Sequence, residues 1–532
     1  MKHIFKVFIL ATCLLGMQHR ASANILDKIK YYFSRDTASI DFPEITGHHT
    51  VGTTKSSTRE TIFDKVVSIP KELILDVPLL PPICDEIKDL KKGYAEIENG
   101  KLYYEEEGHG IPLILLNPGP GGTHQMFHPY FSRIKDVARV IYYDPRGTGK
   151  SSRDETGRTY TIKQAVEDVE SLRKALKIDA WVVVGWSFGG FLAQCYALTY
   201  PEHVKGLVLV AAGDGLKNVE MKEGREEKFK SKAEREAIKK IYAAEDEGTL
   251  NIVQTMYNKD LAGDWKRQNY YKPTLDEFAR LARYEFVYAI EYSKLMNDDY
   301  KRISLDGKFD DFEVPTLITE AKWDLTWNTD KADLIRGNHP HAQFEYFEKS
   351  GHKIFADEPE KFFNVLRSFL EKSSKTQITY KPGNRLMWPK SLSEFELKIK
   401  MAGLLPDKEE GARRLLNYYQ QAVSNSSEDV AVWDVFFLAF IGLRSHYEEA
   451  LNSLQRYEAL AKTKDPKGLE GRGHCINIWY GMLFDLLGRR DEAIEKYQEA
   501  LQNFKASSEG CSVDKKWIKN RIQTPFTWDD NK

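Results

Sequence analysis

The stretch Val182 to Leu192, VVVGWSFGGFL, admits very few backbone paths. A β-branched run passes through Gly185 and Trp186 into Ser187, and an apolar helical pattern starts at once behind Gly189 and Gly190. An ordinary strand-to-helix connection would put Asp, Asn or Gly at the turn, to cap the helix or to bend the chain. Here the pinch point is a serine with a glycine two residues to either side, the pattern G-x-S-x-G. Residues without a Cβ let the strand and the helix cross closely, and a single hydroxyl is left on display. The pattern arises often by chance. The strand before it and the helix after it are what give it meaning.

A serine hydroxyl is a poor nucleophile at its own pKa, so it needs a base within hydrogen-bond reach and an acid to orient that base. On a strand–turn–helix scaffold of this kind the order along the chain is serine, acid, histidine, each partner placed after a strand. TLITEAKWDLTW supplies Asp324 and FEYFEKSGHKIF supplies His352. Three rivals fit less well: Glu320 sits inside the strand run, Asp330 lies farther on, and His341 precedes a strand. Charge developing on an attacked carbonyl needs two backbone N–H donors. One is Phe188, next to the serine. The other belongs to the loop NPGPGGTH, where Pro118 and Pro120 have no N–H and Gly119, Gly121 and Gly122 do. Register favours Gly119.

Two phosphate-loop readings fail. GTGKSS would need a glycine where Asp144 stands, and GPGGTH lacks the third glycine of a dinucleotide loop. No C-x-x-C spacing is present, and neither a cofactor nor a metal is expected. A net charge of −2 gives no reason to expect a nucleic-acid partner.

Short β-branched runs alternate with helical patterns from about Tyr94: KLYYEEEG, PLILLN, ARVIYYD, WVVVGW, GLVLVAA, TLITEA and AQFEYF read as strands. TIKQAVEDVESLRKALKI and DEPEKFFNVLRSFLEK carry apolar residues three and four apart and read as helices. The expected class is α/β, a mostly parallel sheet with helices packed on it, interrupted by a helical insertion and followed by an all-α region. The boundaries are a signal at 1–23, an extension at 24–93, core at 94–212, a helical lid at 213–313, core at 314–372, a linker at 373–392 and a helical region at 393–532. The insertion is too long for a loop. In the last region, GLRSHYEEALNSLQRYEAL and LLGRRDEAIEKYQEALQNF resemble each other, and EEGARRLLNYYQQAV is a weaker third copy. Ala412, Ala450 and Ala493 lie 38 and 43 residues apart, near the period of two-helix repeats.

The N-terminus has its own logic. MKHIFK is basic, Val7 to Met17 is apolar and too short to span a bilayer, and Ala21-Ser22-Ala23 offers small residues for cleavage. This is the layout of an export signal, and the mature chain would carry no membrane span. Export would place Cys84, Cys195, Cys475 and Cys511 in an oxidising compartment, too few and too scattered for a disulfide framework. Cys475 and Cys511 are the candidates to pair, and spacing alone does not place their Cα atoms.

Taken together, NPGPGG, YYDPRGTGKSS, GWSFGG, Asp324 and SGH resemble the proline iminopeptidase branch of the α/β-hydrolase superfamily, over roughly residues 94–372. The resemblance implies Ser187 as nucleophile, Asp324 and His352 as its partners, and the NPGPGG loop as oxyanion donor. It implies Asp144, Arg146 and Gly147 as supports. Asn117 stands where the family has histidine, Phe188 where it has tryptophan, and Ala321 where a glycine precedes the acid. Such enzymes hold a free α-amine with acidic lid residues, for which Glu285 and Glu291 are the candidates here. The helical region resembles tetratricopeptide repeats, which offer either a groove for a protein partner or a buttress for the catalytic domain. The expected substrates are short peptides with a free N-terminus. An esterase or general amidase of the same fold is the alternative, and a non-catalytic repeat-based binding protein a more distant one. If the signal reading holds, chain recovered outside the cytoplasm begins at Asn24 on N-terminal sequencing. An intact Met1 on soluble cytoplasmic protein would refute it.

Overall fold

A central strand covered on both faces has to be apolar throughout, and WVVVGW is buried at all six positions. It is the fifth of eight strands in a single sheet: β1 (Lys91–Ile97), β2 (Gly100–Gly108), β3 (Ile111–Leu116), β4 (Ala138–Tyr143), β5 (Trp181–Trp186), β6 (Val204–Val210), β7 (Thr316–Ala321) and β8 (Gln343–Phe347). Their order across the sheet is β1-β2-β4-β3-β5-β6-β7-β8. β1 and β2 form an antiparallel hairpin and β2 pairs antiparallel with β4, while every other neighbour is parallel. The computed structural model describes residues 73–528 apart from 213–230, 247–248, 265–270, 272, 285–289, 325–334, 376–385, 406, 505–510 and 512. The export signal and most of the N-terminal extension therefore lie outside the described residues.

The sheet is mostly parallel, as expected, but the first strand was not read from the sequence. β1 is an edge strand on which only Ala95 is buried, so KKGYAEI lacks the apolar alternation that marks a half-buried strand. Helices α1 (Ile162–Ala175) and α2 (Phe188–Thr199) fall between the central strands. Thr161 caps α1 by accepting from Gln164 N–H. α2 is buried from Phe188 to Ala197.

Four described helices stand between β6 and β7: α3 (Lys232–Asp246), α4 (Ile252–Leu261), α5 (Leu275–Tyr284) and α6 (Ile290–Tyr300). A strap of extended chain lies against two of them. Asn258 of α4 exchanges hydrogen bonds with the backbone of Ile74, both at 2.8 Å. Arg283 of α5 donates to the carbonyls of Val77 and Pro78 at 2.6 and 3.0 Å. Val77 is buried among Val253, Tyr257, Leu261 and Phe278. The strap thus has a cross-linking role that its Pro-rich sequence does not announce.

After β8 come α7 (Ile354–Asp357) and α8 (Pro359–Lys375), then a helix-rich C-terminal region: α9 (Glu394–Gly403), α10 (Lys408–Ser424), α11 (Val430–Leu443), α12 (Tyr447–Lys464), α13 (Pro466–Arg472), α14 (Cys475–Leu486), α15 (Arg490–Gln502) and α16 (Lys515–Gln523). Ser393 and Glu396 close a capping box at the start of α9. Ala450 and Ala493 are each the fourth residue of their helices, α12 and α15, and both are fully buried. The glycines of the two similar stretches are not equivalent. Gly488 follows α14 with φ +75°, whereas Gly442 lies within α11 and Arg444 takes the left-handed position after it. Cys475 and Cys511 are joined by a disulfide with their Cα atoms 5.6 Å apart.

The two parts of the chain share α9. Leu397 belongs to the core of the sheet, while Ile399 and Ala402 belong to the core of the helical region. Lys400 pairs with Asp298 of α6 at 2.5 Å, and Glu394 pairs with Arg158 at 2.8 Å.

Candidate active site

Ser187 sits at the junction of β5 and α2 with φ 57° and ψ −122°, a conformation costly for a residue with a Cβ. Its N–H is held by the carbonyl of Val210 at 3.0 Å, and its own carbonyl accepts from Gly190 N–H at 2.9 Å. The side chain makes no capping bond to its helix. Ser187 is half-buried while its neighbours from Trp181 to Ala197 are buried, so the serine is the displayed group of the turn.

The flanking glycines are fixed by contact. A Cβ on Gly185 would lie 2.2 Å from the carbonyl oxygen of Gly189. One on Gly189 would lie 2.1 Å from the carbonyl oxygen of Leu116 and 2.7 Å from that of Asn117. The turn that carries Ser187 is therefore pressed against the chain where β3 ends and the NPGPGG loop begins. Phe188 opens α2, where the first N–H groups have no partner within the helix and the helix dipole favours negative charge. In the loop, Gly122 N–H is used by the carbonyl of Pro118 at 3.0 Å. That removes Gly122 as a donor and leaves Gly119 and Gly121. Asn117 donates from Nδ2 to the carbonyl of Tyr143 at 2.7 Å, and its buried Oδ1 has no hydrogen-bond partner among the described residues.

Asp324 follows β7 and His352 follows β8, and the fold brings them together: His352 Nδ1 lies 2.8 Å from Asp324 Oδ2. Asp324 is 1% exposed and His352 7%. The loops that carry them are tied to each other, because Trp323 N–H donates to the carbonyl of Ser350 at 2.9 Å. Gly351 N–H binds the Asp357 carboxylate at 2.8 Å, and Trp186 Nε1–H, one residue before the serine, binds the carbonyl of His352 at 2.8 Å. The imidazole is thereby positioned from both the strand that delivers Ser187 and the helix that follows β8.

The rivals are placed elsewhere. Glu320 is buried within β7 and pairs with Arg336 at 2.6 Å. His341 is exposed. Asp330 and the lid candidate Glu285 lie outside the described residues. Glu291, in the first turn of α6, is half-buried, and its charge acts on the Tyr160 hydroxyl. Burial, with the Glu291 and Asp154 charges adding to it and the Asp154 N–H bond working against it, pushes that phenol up to about 12.

Beneath the glycine loop lies a polar network. Asp144 is fully buried, and its Oδ1 accepts from the backbone N–H of His124 at 2.9 Å and faces His124 Nδ1 at 2.6 Å. Its Oδ2 takes Lys150 N–H at 2.8 Å. Arg146 makes a two-pronged pair with Asp168, at 2.9 and 2.7 Å. Sequence reading passed over Glu105, His124 and His128. The signals that could have found them are the run of three glutamates inside strand β2 and the spacing His124-x-x-x-His128. Burial would raise the Glu105 carboxyl, but hydrogen bonding from His128, the nearby His124 ring and the Tyr103 hydroxyl outweigh it and hold the group down at about 2.

Residues 112–359 match the family model described as alpha/beta hydrolase fold. This part of the chain is an α/β-hydrolase domain. Within that superfamily it is proline iminopeptidase-like. The proline iminopeptidase of Saccharolobus solfataricus is 28% identical over 296 residues, covering 53% of this chain and 93% of that protein. That of Clostridium botulinum is 28% identical over 291 residues, covering 53% and 99%. A 129-residue segment is 40% identical to the Neisseria gonorrhoeae proline iminopeptidase, covering 23% of this chain and 41% of that one. Among solved structures, an esterase from Exiguobacterium antarcticum aligns with a TM-score of 0.41 at 23% identity, over 52% of this chain and 98% of that one.

The contact at Gly189 can be tested directly. Gly189→Ala places a methyl group against the Leu116 carbonyl, so the serine turn and the glycine loop must part by several tenths of an ångström or more. A misplacement of that order costs on the order of a hundredfold in kcat. Steady-state kinetics on the folded variant checks this, and unchanged turnover would show that the contact does not set the site.

Proposed function

We propose that the chain is an exported serine hydrolase that works through Ser187, His352 and Asp324, with short peptides bearing a free N-terminus as its substrates. The observation that carries the reading is the 2.8 Å pair of His352 and Asp324, held on two loops tied to each other and to the strand that ends at Ser187. In this mechanism the Asp324 carboxylate holds His352 Nδ1–H, so that Nε2 is the basic nitrogen. Nε2 takes the Ser187 proton as Oγ attacks the substrate carbonyl. The negative oxygen that forms is received by N–H groups of Phe188 and of Gly119. Collapse expels the amine, which leaves with the proton held by His352, and an acyl ester remains on Ser187. Water activated by the same imidazole then releases the acid.

The peptide preference is supported by the relatives named as proline iminopeptidases over nearly their whole length. In this reading, acids of the lid, Glu285 and Glu291, meet the substrate's ammonium group. Export is supported by the apolar leader and by the Cys475–Cys511 disulfide, a bond that persists in oxidising compartments.

Two expected outcomes test the reading at two depths. Ser187→Ala removes only the attacking oxygen and should lower kcat by about 10⁶ with the fold retained; near-wild-type turnover would exclude the serine mechanism. Aminoacyl-naphthylamides with an acetylated amine should then lose at least about a hundredfold in kcat/KM against the free-amine forms, because the acids that receive the amine are left without their cation. Equal rates on the two, measured beside simple nitrophenyl esters, would leave the esterase or general amidase in place of the aminopeptidase.

A further inference from the structure

Cys84, Glu105 and His124 come from three separate parts of the chain: the turn Ile83–Glu86 at the end of the strap, strand β2, and the turn His124–Phe127 behind the glycine loop. Spacing rules see only ligands close together in one segment, and these three are not. In the fold, one ligand atom from each lies within 4.8 Å of the other two. None of the three residues is more than 1% exposed.

The distances are informative. His124 Nε2 is 3.4 Å from Glu105 Oε1 and 3.9 Å from Cys84 Sγ. The bonds of Glu105 and His124 to Tyr103, Asp144 and His128 are 2.5 to 3.0 Å, so these two are long for hydrogen bonds between well-placed groups. They suit the edges of a tetrahedron around one ion, where bonds of about 2.0–2.3 Å set neighbouring ligand atoms roughly 3.3–3.8 Å apart.

The surroundings supply a second, independent observation. Asp144 Oδ1 faces His124 Nδ1 at 2.6 Å, the carboxylate–histidine arrangement that fixes the tautomer of a metal-bound imidazole and aims its other nitrogen at the ion. Glu105 is steadied as well: the Tyr103 hydroxyl donates to Oε1 at 2.5 Å, and His128 Nε2 faces Oε2 at 3.0 Å. A thiolate and a carboxylate would neutralise a divalent ion, and Lys92, 3.9 Å from Glu105 Oε1, is itself paired with Asp85 at 2.6 Å. The other cluster of this composition, His474 with Cys475 and Cys511, has its sulfurs committed to the disulfide.

We propose that Cys84, Glu105 and His124 form a zinc-class site, binding one divalent transition ion through sulfur, oxygen and nitrogen with water in the fourth position. A mixed S/N/O set selects zinc over the hard cations calcium and magnesium. On binding, the Cys84 S–H proton passes to solvent and the sulfur lone pair to the ion, and nothing is oxidised or reduced. The role is structural. The ion fastens the strap that clasps α4 and α5 to the edge of the sheet and to the turn two residues beyond Gly122.

The test uses the full chain, stripped with a chelator and dialysed against zinc. One zinc per chain should bind at micromolar concentration or below and raise the thermal midpoint, and the cobalt-loaded chain should show a thiolate-to-cobalt charge-transfer band. Cys84→Ser and His124→Gln should each weaken zinc binding at least about a hundredfold, while Cys195→Ser keeps the cobalt band. Absence of stoichiometric zinc on the wild-type chain would overturn the proposal, as would a cobalt complex without the sulfur band or zinc binding unchanged in Cys84→Ser. The two wild-type measurements decide the matter even where a variant fails to fold.

Discussion

The site depends on one backbone contact: Gly189 lies so close to the carbonyl of Leu116 that no side chain fits between them. Protein interiors do not deform continuously, so a contact of this kind sets where the neighbouring groups stand. On one side is the turn that holds Ser187 in a strained conformation; on the other, the loop whose glycines offer N–H groups. Gly185 performs the same service one step earlier, letting β5 pass beneath the start of α2. The strain at Ser187 persists because β5 and α2 are buried on every side and leave the turn no slack.

Much of this was legible because the chain writes it locally. Ser187 is marked by its glycines, and Asp324 and His352 each follow an apolar run that can only be a buried strand. Order along the chain, with knowledge of where strand ends collect, put forward Asp324 and His352, which the fold joins, ahead of Glu320 and His341. What escaped was written across distance. β1 has a single buried residue, Ala95, and so no period to read. The strap is recognised through Gln254, Asn258, Arg280 and Arg283, which are ordinary residues of the helical insertion until they are seen bonded to its backbone. Glu105, His124 and Asp144 come from three segments and share a centre only after folding. The disulfide is the same kind of fact, since 36 residues of chain do not fix two Cα atoms at 5.6 Å.

The helical insertion is held from three directions. The strap binds α4 and α5 from the N-terminal side, α9 binds α6 through Lys400 and Asp298, and Tyr300 at the end of α6 packs on Phe188 and Phe191 with ring centres 6.0 and 4.5 Å away. The last of these contacts reaches the residue beside the serine. A displacement of α6 would therefore be felt at the start of α2, where a developing negative charge would be received.

α9 has the character of a shared wall. Leu397 on one side closes the core beneath the sheet, and Ile399 and Ala402 on the other close the core of the helical region. A wall common to two rooms cannot be taken down with either of them. If the chain is cut ahead of α9, the backbone at Gly157 loses Leu397 and Met401, which lie against it. If it is cut after α9, that helix keeps an apolar face with nothing against it. In this chain the hydrolase domain and its helical companion, though their folds are of different classes, cannot be parted without opening one core or the other.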